Sequence, residues 1–308
     1  MEHMPFVSII TITHNRANLI YKCIKSIQSQ TYKNYEHIIV DGNSTDNTKE
    51  VVESYAISDK KIKYIHLDYS GPSQQQLQGF LVAKGEYITF LDDDDEYLPD
   101  NLEKKIEIIE ELDDSYGFIY GPMDYFDAQT GNYLYTHEAG LEGGEELLPQ
   151  AIANAIVCGT PSIMYRRNAL EDIGGTYIRG IGNEMSDWAL SLKALSRGWK
   201  VKAYEKSLVK VYVNHGLKRL TTDCFKDLDG LRRQILFANH FLTEYEEVIR
   251  NHPTSAIVHL KTLLNAQILL KNYREGFKTY YQLIKCSPSM KHIVYPFYLI
   301  LIKNWLGK

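Results

Sequence analysis

Residues 87–95 read YITFLDDDD, an apolar and β-branched run that ends in four consecutive aspartates, Asp92 to Asp95. The run 87–91 predicts a buried strand, because parallel strands that are covered on both faces are apolar along their whole length. Carboxylates pressed together at the end of such a strand repel one another unless they are protonated or neutralised by a cation. A divalent metal ion is the simplest neutraliser, so this stretch predicts a metal site at a strand end.

The residues on both sides of this stretch alternate between strand-like and helix-like patterns. Strands are predicted at 7–13, 35–40, 62–66, 87–91 and 117–120, and helices between them at 18–30, 46–55, 73–83 and 100–112. Such alternation is typical of β-α-β units and predicts an α/β fold with a mainly parallel central sheet. In these sheets ligands bind at the carboxyl ends of the strands, where Thr13, Asp41 and the four aspartates fall.

The remainder of the chain divides at about residue 222. Glycine and proline interrupt residues 121–222, which contain one clear helical pattern at 186–197 and are interpreted as the second half of the same domain. From 223 to 308 apolar residues recur at helical spacing, which predicts an all-helical C-terminal appendage. The predicted domains are therefore 1–222, with halves 1–120 and 121–222, and 223–308.

The composition of the 308 residues is typical of a globular protein, with 44% hydrophobic and 24% charged residues. A formal net charge of -5 argues against a nucleic-acid binder that relies on a broad basic surface, although it leaves room for local basic patches, and no nucleic-acid partner is expected. The 4 cysteines lie far apart without a metal or disulfide pattern, which favours reduced thiols and a cytoplasmic location. We expect no signal peptide and no membrane-spanning segment.

Three segments carry a resemblance when they are taken together: SIITITHNR at 8–16, DGNSTDNT at 41–48 and FLDDDDEYLP at 90–99. In wording and spacing they resemble the family 2 glycosyltransferases of the bacterial surface-polysaccharide type. The likeness extends from about residue 6 to 213. It implies a GT-A fold, which is a Rossmann-like, mainly parallel sheet flanked by helices. Residues 1–120 would then be the nucleotide-sugar-binding half and 121–222 the acceptor half.

The resemblance implies roles for the polar residues at the strand ends. Asp94 would bind a divalent cation, Mn²⁺ or Mg²⁺, that bridges the diphosphate of the donor, and Asp92 or Asp93 would bind the ribose. Oxygen ligands suit such hard cations. Asp41 would accept a hydrogen bond from the imide N–H of uracil or thymine, although residues 41–48 alone are equally typical of a capped turn. The remaining implied nucleotide-sugar-binding residues are Thr11, Thr13, Asn15 and Arg16.

Residues 213–220, VNHGLKRL, combine a histidine and two basic residues with a glycine. The resemblance implies a lid over the diphosphate, in which His215 joins the metal and Lys218 and Arg219 hold the phosphates. A solvated loop is an equally good interpretation, because basic residues are common on protein surfaces.

An EF-hand is a rival interpretation of the acidic stretch. Asp92, Asp94, Glu96 and Glu103 have the spacing of its calcium ligands. Tyr97, however, occupies the position where the sharp turn of that loop requires glycine. The EF-hand is therefore the weaker of the two metal hypotheses.

Residues 184–193, EMSDWALSLK, open the helical pattern at 186–197. The resemblance identifies Asp187 as the base that takes the proton from the acceptor hydroxyl, with Glu184 as the alternate. From the segment alone, Asp187 is better explained as a first-turn carboxylate that complements the helix dipole. The resemblance implies an inverting, metal-dependent enzyme for surface polysaccharide synthesis. It would transfer a sugar from a UDP- or dTDP-linked donor to a hydroxyl of a saccharide or lipid-linked saccharide.

Two other functions remain open at this point. A sugar-phosphate nucleotidyltransferase would share the α/β architecture and the magnesium, but the chain lacks the glycine-rich, lysine-bearing N-terminal loop of that class. A non-catalytic nucleotide-sugar-binding protein would keep Asp41 and Asp94 without needing a base. The presence of Asp187 and of an acceptor half favours catalysis.

The C-terminal segment mixes aromatic and basic residues, a combination typical of interfacial helices. This mixture predicts weak peripheral attachment to the inner face of a membrane that carries a lipid-linked acceptor. Helix packing or a homodimer contact explains it equally well, because aromatic stripes at helical spacing are usually core. The residues are Tyr280, Tyr281, Tyr295, Phe297, Tyr298 and Trp305 with Lys271, Lys278, Lys285, Lys291, Lys303 and Lys308.

Overall fold

The computed structural model describes residues 4–68, 71–176, 186–216 and 228–289. The chain forms two compact units. The first contains Met1–Leu147, Ile156–Ile178 and Ser186–Leu217, and the second contains Leu148–Ala155, Arg179–Met185 and Lys218–Lys308. The predicted domain boundary at residue 222 falls in 217–227, outside the described residues.

The strands found among the described residues all belong to the first unit. Their bounds agree with the sequence pattern at β1 to β4 and at β6. They are β1 (Val7–Thr13), β2 (Tyr35–Asp41), β3 (Ile62–His66), β4 (Tyr87–Phe90), β5 (Glu96–Tyr97), β6 (Tyr116–Tyr120), β7 (Met123–Asp127), β8 (Tyr133–His137), β9 (Met164–Arg166), β10 (Lys200–Ala203) and β11 (Val209–Val213).

The helices lie in both units. Those of the first unit are α1 (Ile20–Gln28), α2 (Thr48–Ser58), α3 (Pro72–Val82), α4 (Asn101–Glu110), α6 (Arg167–Asp172) and α7 (Ser186–Ser196). Those of the second unit are α5 (Leu148–Ala153), α8 (Leu228–Glu244), α9 (Glu246–Asn251), α10 (Ile257–Leu269) and α11 (Tyr273–Cys286).

Within the described residues, the central sheet has seven strands in the order β10-β6-β9-β4-β1-β2-β3. Its pairs are parallel except those of β9, which runs antiparallel to β4 and β6. The chain passes from β1 to β2 and β3 on one side and then returns to β4 on the other. The carboxyl ends of β1 and β4 therefore flank a topological switch point, where ligands bind in sheets of this kind.

Apolar side chains bury the helices against the central sheet. One cluster joins Ile20 and Ile24 of α1 to Ile39, Val52 and Ile62. At α3 the approach to β1 is close because Gly79 has no side chain: a Cβ there would lie 2.5 Å from Cγ2 of Ile10. The predicted α/β fold with a mainly parallel sheet is thus confirmed.

A second sheet of the first unit, four-stranded in the described part of the chain, has the order β5-β11-β7-β8. Strand β11 is parallel to β7 and antiparallel to β5. Because β5 follows the four aspartates and β11 precedes His215, this sheet brings two distant stretches of sequence together beside β4.

The regular elements described in the second unit are all helices, and those from 228 to 286 lie in the segment predicted to be helical. One cluster of its core consists of Ala256, Leu260, Leu264, Ile268 and Leu283. No helix among the described residues is both long and apolar enough to span a bilayer. Of the predicted interfacial residues, those from 290 to 308 lie outside the described part.

Candidate active site

The four aspartates form a tight turn at the carboxyl end of β4. The backbone N–H of Asp95 donates to the carbonyl oxygen of Asp92 at 3.1 Å. This turn brings one side-chain oxygen each from Asp92, Asp94 and Asp95 within 4.8 Å of one another. Three carboxylates at that separation form a set of oxygen ligands that suits a hard divalent cation.

Asp93 is directed away from this group and toward β1. Its side chain is buried, and the Thr13 hydroxyl donates to its Oδ2 at 2.6 Å. Burial raises the pKa of Asp93 above its usual range, and the neighbouring Asp94 adds to that shift. The geometry thus assigns Asp93 to the β1–β4 junction, together with Thr13.

Asp94 contacts two other predicted site residues, His215 and Arg16. His215 Nε2 lies 3.0 Å from Asp94 Oδ2, and Arg16 Nη1 lies 3.4 Å from the same oxygen. The two residues predicted as metal ligands, Asp94 and His215, are therefore adjacent. Arg16 supplies positive charge beside the carboxylates, which reduces their mutual repulsion.

Asp95 is a member of the cluster that the sequence did not single out. It is buried, and its Oδ1 accepts the backbone N–H of Tyr212 at 3.0 Å. Asp95 thereby ties the acidic turn to β11, the strand that leads to His215. The signal that could have identified it is the run of four aspartates itself, since a four-residue turn brings its first and last residues together.

Asn15 joins two loops at the strand ends. Its backbone has a left-handed conformation with φ of 53°, which asparagine tolerates better than most residues. Its Oδ1 accepts the backbone N–H of Thr45 at 2.7 Å, and its own N–H donates to Ser44 Oγ at 2.8 Å. The loop after β1 is therefore bonded to the loop after β2.

Asp41, at the end of β2, is fully buried and both of its oxygens are engaged. Its Oδ1 accepts the backbone N–H of Ser44 at 2.8 Å, and its Oδ2 accepts the Tyr64 hydroxyl at 2.6 Å. Burial and this bond to Asp41 raise the pKa of Tyr64. Tyr64 was not among the predicted site residues, and no local pattern in β3 marks it.

Thr11 lies inside the sheet rather than at its edge. Its buried hydroxyl is 3.0 Å from Nε2 of His37 and 3.6 Å from Sγ of Cys23. Burial lowers the pKa of His37 to about 3, so that the imidazole is neutral in the folded protein. Thr11 is thus positioned as part of the core beneath the site, in contrast to Thr13.

Asp187 lies in the first turn of α7, half-buried. Its Oδ1 accepts the backbone N–H of Trp188 at 2.8 Å. Burial raises the pKa of Asp187, whereas the backbone hydrogen bonds lower it. The net increase brings the carboxylate closer to the range in which it can accept a proton near neutral pH. Glu184, Lys218 and Arg219 lie outside the described residues.

The rival EF-hand does not fit this arrangement. Tyr97 lies in strand β5 with its hydroxyl on the carbonyl oxygen of Phe90 at 2.7 Å. Glu103 lies in α4 and accepts a hydrogen bond from the Thr31 hydroxyl at 2.8 Å. Glu103, which would be the last ligand of a calcium loop, therefore bonds to Thr31 instead.

Comparison with known proteins identifies the same region. Residues 8–174 match the family model described as Glycosyl transferase family 2. A GalNAc(5)-diNAcBac-PP-undecaprenol beta-1,3-glucosyltransferase of Campylobacter jejuni is 34% identical over 172 residues, which cover 55% of this chain and 54% of that protein. The chain thus spans about half the length of that relative.

A second relative matches over more of its length. The UDP-Glc:alpha-D-GlcNAc-diphosphoundecaprenol beta-1,3-glucosyltransferase WfaP of Escherichia coli is 32% identical over 228 residues, covering 73% of this chain and 83% of that protein. Among solved structures, the mannosyltransferase PcManGT of Pyrobaculum calidifontis, in complex with GDP-Man and Mn²⁺, aligns with a TM-score of 0.58 at 17% identity. That alignment covers 100% of this chain and 89% of the other, and it supports the GT-A fold.

Proposed function

Because the chain belongs to glycosyl transferase family 2, we propose that it is a metal-dependent, inverting glycosyltransferase that extends a lipid-linked saccharide. The observation that carries the proposal is the convergence of Asp92, Asp94 and Asp95 at the carboxyl end of β4. This convergence lies within residues 8–174, the range matched by the family model. Carboxylates held this close repel one another, and Arg16 supplies a single positive charge beside them.

The side chains suited to hold the cation are Asp92, Asp94 and Asp95, with His215 adjacent to Asp94. Their donor atoms are carboxylate oxygens and one imidazole nitrogen, which fits Mn²⁺ or Mg²⁺. A cation bound there supplies positive charge that offsets the charge developing on the departing diphosphate. The Mn²⁺ in the complex of the Pyrobaculum mannosyltransferase supports this assignment.

We assign the nucleotide of the donor to the crevice between the ends of β1, β2 and β4. Thr13 and Arg16 border it through their contacts with Asp93 and Asp94. Asp41 is proposed to accept the imide N–H of a uracil or thymine base. The Tyr64 hydroxyl donates to Oδ2 of Asp41, and a carboxylate oxygen can accept a second hydrogen bond, so the base N–H would share this oxygen with Tyr64. The UDP-glucose donor in the name of the Escherichia coli relative supports a UDP-linked sugar.

Asp187 is proposed as the general base. Its raised pKa suits a carboxylate that removes a proton from the acceptor hydroxyl while the oxygen attacks the anomeric carbon. A single displacement of this kind inverts the configuration at that carbon. The diphosphoundecaprenol-linked acceptors in the names of both relatives support a lipid-linked saccharide as the acceptor.

Coupled binding of metal and nucleotide tests the cation site. UDP with Mn²⁺ should raise the melting temperature of the wild-type protein, and neither component alone should do so, because the diphosphate binds through the cation. Asp94→Asn should abolish the coupled effect. Asp68→Asn, a change at a fully exposed carboxylate, is the matched control and should behave as wild type. Equal stabilisation by UDP without metal would contradict the proposal. Repeating the measurement with dTDP or GDP in place of UDP tests which nucleobase the site binds.

Replacement of the proposed general base, Asp187, tests catalysis separately from nucleotide binding. Asp187→Asn should lower the transfer rate about 10²- to 10⁴-fold, as expected for loss of a general base, while UDP binding persists. Asp229→Asn is the control, because Asp229 also lies in the first turn of a helix but is exposed. If both variants transfer sugar at the wild-type rate, Asp187 only complements its helix dipole and another residue is the base.

A further inference from the structure

Helix α11 of the second unit leaves an aromatic stripe exposed. Tyr273, Phe277 and Tyr281 follow one another at intervals of one helical turn, and their exposed fractions are 57%, 72% and 57%. Large apolar side chains that remain exposed in a row, rather than singly, indicate a surface that binds a partner. The opposite side of α11 is the one that packs, through Gly276, Thr279 and Leu283.

The charges of α11 lie beside this stripe. With about 100° of rotation per residue, Tyr273, Ile284, Phe277 and Tyr281 occupy a sector of about 80°. Arg274, Lys285 and Lys278 occupy the adjacent sector of about 40° on the same side. The helix thus has three longitudinal faces, one packed, one aromatic and one basic.

The basic face is unusual for this chain. Helix α11 carries three basic residues and one acidic residue, Glu275, whereas the whole chain has a net charge of -5. Glu275 pairs with Lys278 at the surface and cancels one of these charges, so the helix keeps an excess of two basic residues. Nζ of Lys285 lies 4.6 Å from the ring centroid of Tyr281, which places a cation at the edge of the aromatic stripe.

We propose that this face of α11, defined by Tyr273, Phe277, Tyr281, Arg274, Lys278 and Lys285, binds the surface of an anionic lipid bilayer. Aromatic rings beside basic residues suit the boundary between acyl chains and phosphate headgroups, where the rings are buried and the cations pair with anionic lipid. The charge of the face is complementary to such a surface. This inference is independent of sugar transfer, since membrane binding requires neither donor nor acceptor.

Flotation of the full chain with vesicles tests the proposal. The wild-type protein should float with vesicles of phosphatidylcholine and phosphatidylglycerol and remain below with phosphatidylcholine alone. Phe277→Ser combined with Tyr281→Ser should abolish flotation. Each of Arg274→Gln, Lys278→Gln and Lys285→Gln should weaken binding about fivefold at low salt.

Matched controls separate this face from general effects of surface substitution. Leu236→Ser removes an exposed apolar residue of α8, and Arg250→Gln removes an exposed basic residue of α9. Both should float as wild type. Circular dichroism of every variant should match the wild-type spectrum, because all of these side chains are exposed.

Fluorescence locates the contact directly. Phe277→Trp introduces a reporter in the middle of the stripe, and its emission should shift to the blue when anionic vesicles are added. A matched Leu236→Trp reporter on α8 should not shift.

Three results would overturn the proposal. One is wild-type protein that does not float with anionic vesicles. Another is flotation that survives the double substitution at Phe277 and Tyr281. The third is sedimentation as a dimer that the double substitution converts to a monomer, without flotation, which would make the stripe a contact between two copies of the chain.

Discussion

Acid should destabilise the first unit through His37, which lies in the interior of the central sheet. Burial lowers its pKa to about 3, from the ordinary histidine value of about 6.5. Between these values the unfolded chain binds a proton that the folded protein does not, so stability falls as the pH falls from 6.5. This difference in proton binding lowers the free energy of unfolding by about 2 kcal/mol at about pH 5 and has almost no effect near pH 7.5.

The substitution His37→Gln isolates this contribution. A glutamine amide can still reach the Thr11 hydroxyl, which His37 Nε2 approaches at 3.0 Å, but it does not titrate. The free energy of unfolding, measured by urea titration with circular dichroism, should fall by about 2 kcal/mol less in the variant than in the wild type between pH 7.5 and 5. His137→Gln, at an exposed position in β8, is the control and should retain the wild-type slope. Parallel loss of stability in the His37 variant and the wild type would refute the assignment of a neutral buried imidazole.

Three further predictions concern buried contacts. Tyr64→Phe leaves the fully buried Asp41 without the donor at its Oδ2 and should lower the free energy of unfolding by about 1–3 kcal/mol. The control Tyr133→Phe changes an exposed ring and should have little effect. Equal effects of the two substitutions would contradict the role of the Tyr64 hydroxyl. Gly79→Ala should destabilise by about 1–3 kcal/mol, because the new Cβ would lie 2.5 Å from Ile10, while Gly276→Ala in α11, whose nearest neighbour is at 3.8 Å, should stabilise by about 0.4–1 kcal/mol in thermal unfolding. Burial lowers the pKa of His259 to about 4, so His259→Gln should reduce the loss of stability that acid causes in the second unit. Hydrogen exchange of α10 at two pH values measures this stability. An unchanged pH dependence in the variant would disprove the prediction.

The regular part of the fold could be predicted because its signals are local. The run 87–91 and its counterparts at 7–13 and 35–40 are buried along almost their whole length, and helix α1 between the last two is amphipathic. Strand β9 is different: it has three residues and lies antiparallel between β4 and β6. So short a strand has no detectable period, and its position is set by tertiary packing.

The candidate site likewise has contacts that could be predicted from the sequence and contacts that could not. The family resemblance implies that Asp94 and His215 share one metal site, and in the structure His215 Nε2 lies 3.0 Å from Asp94 Oδ2. The inclusion of Asp95 and the orientation of Asp93 toward Thr13 depend on how the turn 92–95 is folded. Likewise the contact of Tyr64 with Asp41 joins positions 23 residues apart, and pairing of β2 with β3 creates it. Long-range contacts of this kind leave no trace in a local pattern.

The antiparallel strand β9 has a consequence for biosynthesis. Strand β4 pairs with β1 on one side and with β9 on the other, so one of its edges lacks a partner until residues 164–166 have been made. At a ribosomal speed of roughly 5–20 residues per second, the nascent chain carries that bare, apolar edge for roughly 4–15 seconds. Exposed edges invite pairing with other chains, so this interval is when the newly made protein most needs shielding by a chaperone.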